Sequence, residues 1–349
     1  MTVPLKSPQT ADETVAPEPV RDQGIPRSYY RDPEGKLRRD LNPKELHGAL
    51  RQPGSVLWAD IDSTNRHQLA VLEKIFNFHP LSIEDSVNPS SRVKVEEYPD
   101  YIFIIVRVVR FCETTPDPYD LETFNLNLFI GRNFLVTVHA EPSRSVAAVE
   151  SLVMRNPDML TRGPARLGHM ILDTAIDAYF PIVDQLDDFI DSLEARVFAT
   201  FDESVLHEIF TVKRMVITLR RYLAPQREVF NILTNRPTPF IAPETQVYFR
   251  DVYDHMLRIN DSLDNYRELL SSTLDSYLSQ VSNRLGMVTK GLSTVATMSV
   301  PFVVVAGIYG MNFQNIPLAH HPYGFWILVV LQFGIGISLV AFLKWRRWL

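Results

Sequence analysis

Two segments without charged residues, near the C-terminal end, constrain this chain more than any other feature. They cover residues 292–310 and 325–343, and each is 19 residues long. A helix needs about 20 consecutive apolar residues to cross the hydrocarbon core of a bilayer. We therefore predict transmembrane helices over 292–312 and 325–343. The alternative, a buried hairpin of core helices, does not explain the Trp- and Arg-rich end that follows the second segment.

The residues around these helices predict their orientation. The connection, residues 313–324, contains no Lys or Arg, whereas the chain ends in a basic tail at 344–349 with the sequence KWRRWL. Because Lys and Arg favour the cytoplasmic side and Trp favours the interface, we expect an extracytoplasmic loop and both chain ends inside. The sequence thus predicts a multi-pass protein of the cell inner (plasma) membrane, in contact with lipid, with a large cytoplasmic region.

Composition excludes several classes of function. The formal net charge of −6 disfavours nucleic acid as a partner. The single cysteine, Cys112, excludes an intrachain disulfide and fits a reducing compartment. The phosphate-binding pattern G-x-x-x-x-G-K-[ST] does not occur. Transport by such a chain would therefore have to run down an electrochemical gradient.

The cytoplasmic region begins with a polar, Pro-rich stretch, residues 1–27, which predicts a disordered tail. Residues 28–164 combine strand-like and helix-like patterns. The strand-like runs cover 56–62, 101–111, 124–131 and 134–140, and the helix-like runs cover 65–76 and 143–155. Gly131 and the two residues after it predict a hairpin between the last two strands. We predict an α+β cytoplasmic domain, a mixed sheet with helices.

Helical patterns take over from about residue 165. Residues 165–243 predict a helical hairpin, with helices over about 166–199 and 203–223, and residues 244–291 predict a stalk helix that continues into the membrane. Apolar residues recur about every 3.5 residues from Met256 to Val295, without an intervening proline. Such a helix would be about 100 Å long. Since one chain cannot cover it, the apolar stripe predicts a symmetric homo-oligomer.

The first transmembrane segment ends in Tyr309-Gly310-Met311-Asn312. In a ring of subunits, Asn312 would repeat once per subunit at the outer mouth. Neutral carboxamide oxygens suit hydrated Mg²⁺, which gives up its water reluctantly, and they hold an ion loosely enough to release it. The alternative is an ordinary helix end, because Gly and Asn are common C-terminal caps.

These residues together resemble the CorA family of magnesium and cobalt transporters. The resemblance is carried by GIYGMNF before the second crossing, and upstream by HPLSIED, RVKVEEYPDYIFIIV, DAYFPIVDQLDDFIDSLE, YFRDVYDH and LSQVSNRL. It covers nearly everything after about residue 50. It implies a funnel-shaped homopentamer that is not an enzyme. Such a pentamer would conduct Mg²⁺, with Co²⁺ and Ni²⁺ as further candidate ions.

The resemblance also implies roles for individual residues. The selectivity filter would be Gly310, Met311 and Asn312, and a basic ring at the cytoplasmic end would be Lys344, Arg346 and Arg347. Regulatory Mg²⁺, bound between subunits, would hold the pore shut through Glu84, Asp85, Asp173, Asp251 and His255. For each acidic residue, a solvated surface charge is the alternative.

Helical spacing below the filter predicts which side chains line the pore. The candidates are Val303, Val300, Ala296, Leu292, Thr289 and Gly286. Large apolar rings can close a pore by dewetting, so Leu292 and Val300 are the preferred gate. Many family members have a polar residue in place of Val303 and an Asn in place of Gly286. Coordination inside this pore is therefore expected to rest on backbone carbonyls and Asn312.

The outer loop also departs from the pattern of many family members, which carry acids just after the filter. Here the positions are Gln314, Asn315 and Leu318, followed by His320 and His321. Attraction of cations by the loop should therefore be weak. Protonated histidines would oppose entry, so we expect weaker uptake at about pH 5.5 than at about pH 7.5.

Three other functions stay open from the sequence. One is a proton-coupled zinc transporter of the same superfamily. A second is a membrane-anchored metal-dependent hydrolase that uses Asp251, Asp254, His255 and the pair Glu84 and Asp85. It lacks a recognisable nucleophile and an H-E-x-x-H motif. The third is a cation sensor that does not conduct.

Overall fold

The computed structural model describes residues 24–111, 121–199, 203–311, 317–318 and 320–346. Its strands are β1 (Arg27–Arg31), β2 (Leu37–Arg39), β3 (Val56–Asp62), β4 (Lys94–Glu97), β5 (Tyr101–Phe111), β6 (Leu121–Gly131) and β7 (Phe134–His139). Its α-helices are α1 (Pro43–Arg51), α2 (Arg66–Lys74), α3 (Pro80–Val87), α4 (Arg144–Arg155), α5 (Pro164–Asp177), α6 (Phe180–Ala199), α7 (Glu203–Asn235), α8 (Pro243–Tyr309) and α9 (Gly324–Trp345), with a 3-10 helix over Pro157–Arg162. Two compact units divide the chain, residues 1–196 with 202–273, and residues 197–201 with 274–349.

The first unit contains a mixed sheet, as the sequence predicts. Its strand order is β2-β1-β3-β7-β6-β5-β4. Strands β3 and β7 run parallel, and the other neighbouring pairs run antiparallel. Strands β3 and β5 have the predicted bounds, and β6 and β7 form the predicted hairpin. Sequence patterns missed β1, β2 and β4, because runs of three to five residues are too short to show a period.

Strand β1 corrects the predicted boundary of the N-terminal tail. Residues 1–23 of that tail lie outside the described residues. Arg27, however, is the first residue of β1 and pairs with Asp60 of β3. The next residues of β1 include Tyr29 and Tyr30, both buried. The sheet therefore begins by Arg27, because the two tyrosines bury apolar surface that a disordered tail would leave exposed.

The central strands of the sheet are buried on both faces. On one face, Phe129 and Val136 pack in a common core with Leu46 of α1 and Leu72 of α2. On the other face α5 approaches so closely that a Cβ added at Gly168 would lie 2.8 Å from Cδ1 of Ile130. Strands covered on both faces read as continuous apolar runs without alternation. This burial explains why the sequence of β5 is apolar at nearly every position.

A buried ion pair links the two parallel strands. His139 Nε2 lies 3.0 Å from Asp60 Oδ1, and His139 Nδ1 lies 2.8 Å from the carbonyl oxygen of Glu141. A protonated imidazole can donate to both neighbours, because the carbonyl oxygen and the ionised carboxylate are acceptors. Burial lowers the pKa of His139, but the hydrogen bond and charge of Asp60 outweigh it, and the net pKa is raised. His139 therefore stays protonated to a higher pH than a free imidazole does.

The predicted helix over about 166–199 is in fact two helices, α5 and α6. Pro181 lies at the second position of α6. In a continuous helix its ring would clash with the carbonyl four residues earlier. Tyr179 fills the break, where it is fully buried and donates its hydroxyl to a carbonyl of β5 at 2.8 Å. Helix α7, in contrast, continues through Pro225 beyond its predicted end at 223.

Helix α8 confirms the predicted long, continuous helix, with Pro301 inside it. Its N-terminal part is fully buried in the first unit at Met256, Ile259, Leu263 and Leu270. An ion pair of 2.9 Å joins Arg220 of α7 to Asp264 of α8. Further along, the stripe is 54% to 68% exposed at Leu285, Val288, Leu292 and Val295. The expectation that neighbouring subunits must cover the whole stripe is therefore wrong for its N-terminal part, which the chain's own helices cover.

In the second unit, contacts around Phe302 join α8 to α9. Gln332 donates from Nε2 to the carbonyl of Phe302 at 3.3 Å, and the rings of Phe302 and Phe333 meet edge to face. A Cβ added at Gly336 would lie 3.3 Å from Cζ of Phe302, so the helices approach closely here. Phe302 follows Pro301, which has no N–H to donate within the helix. Helix α9 therefore packs closely against α8 in the turn that follows Pro301.

Candidate functional site

Asp173, Asp177 and His255 form a cluster of side chains that could hold a cation. One ligand atom of each residue lies within 4.8 Å of the others. Helix α5 supplies the two aspartates, one turn apart, and α8 supplies the histidine. His255 Nδ1 lies 2.9 Å from Asp177 Oδ1, and its Nε2 lies 3.9 Å from Asp251 Oδ1. Polar groups of two helices of the first unit thus converge here.

The electrostatics of the cluster centre on Asp173. Its Oδ1 is buried and has no hydrogen-bond partner among the described residues. Burial and then the charge of Asp177 raise the pKa of Asp173, while His255 opposes them. A cation would relieve both the desolvation and the repulsion. The carboxylate oxygens suit Mg²⁺, and the imidazole suits softer ions such as Ni²⁺ or Zn²⁺.

Sequence reasoning named Asp173, Asp251 and His255 for cation binding but missed Asp177. The available signal was the spacing of four residues within LDTAID, which places Asp173 and Asp177 on one helix face. Asp251 lies beside the cluster with its side chain 70% exposed. It is therefore accessible to a group outside this chain.

Glu84 and Asp85 lie elsewhere, on α3, and do not join that cluster. His79 caps the start of α3, where its Nδ1 accepts a backbone N–H at 3.2 Å. Glu84 is exposed, whereas Asp85 accepts hydrogen bonds from Lys94 Nζ at 2.6 Å and Ser91 Oγ at 3.0 Å. Within one chain, the residues predicted for regulation therefore form two separate groups.

Two asparagines of β6 hold the segment that follows Asp85. Asn127 Nδ2 donates to the carbonyl of Ser86 at 3.1 Å, and Asn125 Nδ2 donates to the carbonyl of Ser91 at 3.2 Å. Both asparagine side chains are buried. Because the segment is attached to the sheet at two points, Asp85 has a defined position.

The predicted filter falls only partly within the described residues. Gly310 and Met311 directly follow the end of α8, and Met311 is half exposed. Asn312 lies outside the described residues. The hydroxyl of Tyr309 donates to the carbonyl of Pro317 at 2.7 Å, which ties the helix end to the connection. The filter role of these residues stays a prediction.

The predicted pore and gate residues share one face of α8. All are exposed in the chain: Gly286, Thr289, Leu292, Ala296, Val300 and Val303. At about 100° per residue, they lie on the opposite side of the helix from Met298 and Phe302, which line a groove together with Phe333 of α9. This face is therefore available to a pore or to neighbouring subunits.

The predicted basic ring lies at the end of α9. Lys344 and Arg346 are exposed, and the guanidinium of Arg346 lies 5.9 Å from the ring of Trp345. Arg347 lies outside the described residues. Its role, like that of the other two, stays a prediction.

Comparison with known proteins decides the family. A family model described as "CorA-like Mg2+ transporter protein" matches residues 53–346. The chain belongs to the CorA-like family. It is 31% identical over 317 residues to the "Cobalt/magnesium transport protein CorA" of Thermotoga maritima, and the match covers 89% of each chain. It is 30% identical over 292 residues to the "Putative metal ion transporter YfjQ" of Bacillus subtilis, with 83% of this chain and 89% of that protein covered.

Solved structures support the CorA fold. The CorA magnesium transporter from Methanocaldococcus jannaschii has a TM-score of 0.77 at 24% identity, with 92% of this chain and 98% of that chain covered. The cytoplasmic domain of ZntB from Vibrio parahaemolyticus has a TM-score of 0.59 at 15% identity, with 74% and 99% covered. The mixed sheet, the long helix and the two apolar helices therefore confirm the predicted fold class.

Family membership establishes the general function. CorA family members are transporters or channels rather than enzymes, in agreement with the prediction. Helices α8 and α9 each contain a stretch long and apolar enough to cross a membrane. The chain is thus a CorA-like membrane transporter of Mg²⁺ or related divalent metal ions.

Proposed function

We propose that this CorA-like chain is a channel-like Mg²⁺ transporter, driven by the membrane potential and inhibited by cytoplasmic Mg²⁺. One observation carries the proposal. Helix α8 is a single element that holds Asp251 and His255 in its N-terminal part and leads directly into Gly310 and Met311. Because Asp251, His255 and the residues before Gly310 belong to one continuous helix, a change in cation occupancy at Asp251 and His255 can be passed to the pore along that helix. Co²⁺ and Ni²⁺ are further candidate substrates.

A pore of this kind requires several copies of the chain. Leu292, Val300 and Val303 are 68%, 57% and 68% exposed, although their side chains are apolar. In a symmetric ring these side chains would face one another and form a gate that closes by dewetting. The family resemblance supports a ring of five chains. A native mass of the solubilised protein equal to five chains would support it, and any other stoichiometry would contradict it.

The membrane potential supplies enough energy for uptake. Moving two charges through about −100 mV yields about 4.6 kcal/mol, at about 2.3 kcal/mol per charge. This energy supports accumulation on the order of a thousandfold. A permanently open pore would therefore overload the cell with Mg²⁺.

Inhibition by cytoplasmic Mg²⁺ would prevent this overload. In the proposed ring, Asp85 and Asp251 of adjacent chains repel each other when empty and are bridged when Mg²⁺ binds. Asp173 and His255 belong to the cluster beside Asp251 and would complete the regulatory region, with Glu84 next to Asp85. Loss of cytoplasmic Mg²⁺ would then loosen the ring and open the pore.

Flux into liposomes tests the filter. The purified protein is reconstituted in vesicles that contain a Mg²⁺-sensitive dye, and a potassium gradient with valinomycin sets an inside-negative potential. We expect Mg²⁺ entry that Asn312→Ala abolishes, because every subunit loses its carboxamide. Asn315→Ala, in the same connection, is the matched control and should retain flux. Flux unchanged by Asn312→Ala would refute the filter assignment.

Flux at defined internal Mg²⁺ tests the regulation. Asp251→Lys places an ammonium where the cation would bind and should leave flux insensitive to internal Mg²⁺. Asp254→Lys, at an exposed position of the same helix, is the control and should keep normal inhibition. Normal inhibition of Asp251→Lys would remove Asp251 from the regulatory site.

The same vesicles distinguish the zinc alternative. Zn²⁺ flux that requires a proton gradient would favour a proton-coupled zinc transporter. Mg²⁺ flux that follows the membrane potential alone would exclude it. The likeness to the ZntB domain is one of fold at 15% identity and does not favour either ion.

A further inference from the structure

The ammonium group of Lys94 lies beside Asp85, in a position that a bound cation could take. Its Nζ lies 2.6 Å from Asp85 Oδ2 and 2.7 Å from Glu96 Oε1, so one ammonium bridges two carboxylates. Ser91 Oγ donates to the other oxygen of Asp85 at 3.0 Å, and the hydroxyl of Tyr98 donates to the other oxygen of Glu96 at 3.1 Å. Every oxygen of the two carboxylates therefore accepts a hydrogen bond from within the chain.

The fold keeps this arrangement in place. Lys94 is the first residue of β4, at the edge of the sheet, and its ammonium lies 5.8 Å from the ring centroid of Phe103 on β5. The asparagines of β6 hold the segment after Asp85. The side chains of Lys94 and Asp85 are 28% and 30% exposed, so ions in solution can reach them. Partial burial lowers the pKa of Lys94, but its two carboxylate partners outweigh this effect and the net pKa is raised.

We propose that Lys94 is a tethered competitor of the regulatory cation at Asp85, and that it sets the Mg²⁺ concentration at which the transporter closes. This inference rests on the proposed function, in which Asp85 contributes to a regulatory site. A Mg²⁺ ion and its waters need the oxygens of Asp85 that now accept hydrogen bonds from Lys94 and Ser91. Binding is therefore an exchange in which the ammonium leaves Asp85 as the ion arrives.

Glu96 makes the exchange feasible. When Mg²⁺ takes Asp85, the ammonium keeps a carboxylate partner at Glu96 and is not left without a counter-charge. The interaction lost between Lys94 and Asp85 is subtracted from the free energy of cation binding. Lys94 thus weakens the apparent affinity for Mg²⁺ and raises the concentration needed for inhibition.

The direction of the effect distinguishes competition from a structural role. Lys94→Met removes the ammonium but keeps a long apolar side chain next to Phe103. If Lys94 competes, the variant binds regulatory Mg²⁺ more tightly. If Lys94 only positions Asp85, the variant loosens the site and binds Mg²⁺ more weakly.

Liposome flux at a series of internal Mg²⁺ concentrations tests the inference. We expect Lys94→Met to lower the half-inhibitory concentration about two- to fivefold, the range of a partly exposed ion pair. Lys74→Met removes the same charge from an exposed position on α2 and should leave that concentration unchanged. Protection of the full chain from proteolysis by Mg²⁺ should shift by the same factor, independently of conduction.

An unchanged or raised half-inhibitory concentration in Lys94→Met would overturn the role of Lys94. Asp85→Asn tests separately whether Asp85 belongs to a regulatory Mg²⁺ site. If Asp85→Asn abolishes inhibition while Lys94→Met changes nothing, the regulatory site stands and the competitor does not. If Mg²⁺ inhibits Asp85→Asn as it inhibits the wild type, both the regulatory role of Asp85 and the competitor role of Lys94 are refuted. Thermal unfolding of each variant in EDTA shows that it is folded.

Discussion

Replacing Asp173 by Asn tests whether the cluster on α5 and α8 is a cation site. The side chain keeps its shape and loses its charge. Two unit charges 4.8 Å apart, the limit of this cluster, repel by about 0.9 kcal/mol in water and about 3.5 kcal/mol at an effective dielectric constant of about 20. His255 offsets part of this repulsion. We therefore expect Asp173→Asn to stabilise the cation-free protein by about 1–2 kcal/mol.

The sign follows from the raised pKa of Asp173. Between its unfolded and folded pKa values, the folded protein binds more protons than the unfolded chain, so stability falls as pH rises through that window. Above the pKa of Asp173 in the folded protein, the loss of stability caused by its charge is fully present. The Asn variant carries no charge and does not have this loss. Bound Mg²⁺ would make the wild type more stable than the Asn variant, since a ligand at about one hundred times its Kd adds about 2.7 kcal/mol to the stability of the folded state.

Thermal unfolding of the solubilised full-length protein, in EDTA and in Mg²⁺, measures both effects. Asp173→Asn should unfold at a higher temperature than the wild type in EDTA and gain less from Mg²⁺. Asp188→Asn, at an exposed position of α6, is the control and should follow the wild type in both conditions. If Asp173→Asn is destabilised in EDTA and gains as much from Mg²⁺ as the wild type, the cluster is not a cation site.

Three further predictions concern other parts of the chain. Uptake should be weaker at about pH 5.5 than at about pH 7.5 with the internal side held constant, and replacing His320 and His321 by Gln should remove the difference; equal uptake in the wild type would contradict this. Asp60→Asn, which removes the carboxylate partner of His139, should lower the free energy of unfolding by about 2 kcal/mol at about pH 6. The loss should shrink as pH rises through the raised pKa of that histidine, and a loss independent of pH would contradict the ion pair. Gln332→Leu, which removes the bond to the carbonyl of Phe302, should lower the thermal midpoint of the solubilised protein more than Gln314→Leu; equal midpoints would show that the bond contributes nothing.

Much of the fold was predictable because its signals are local. Strand β5 is apolar at nearly every position, β3 is apolar except at its two aspartates, and the charge-free segments of α8 and α9 are long enough to cross a bilayer. The break at Tyr179 was also signalled locally, by Pro181, and was overlooked. Pro225 shows the opposite, because α7 continues through it. The packing around a helix decides whether a proline ends it, and the residues next to the proline in the sequence do not determine that packing.

The candidate site was only partly predictable. Asp173 and His255 were named from the family resemblance, but their convergence with Asp177 depends on how α5 packs against α8. The pairing of Lys94 with Asp85 likewise depends on where the edge strand β4 lies relative to α3. No periodicity or spacing encodes such contacts.

The sequence by itself determined which segments are apolar enough for a membrane, that one helix continues into the first of them, and that Gly310 and Met311 follow its end. These features depend on composition and on the order of residues along one helix. Only the tertiary structure decided that the chain's own helices cover the N-terminal part of the α8 stripe, and that its predicted regulatory residues fall into two groups. The physical reason is that burial and electrostatic pairing depend on distances between elements far apart in the chain, which are set when the helices and the sheet pack together.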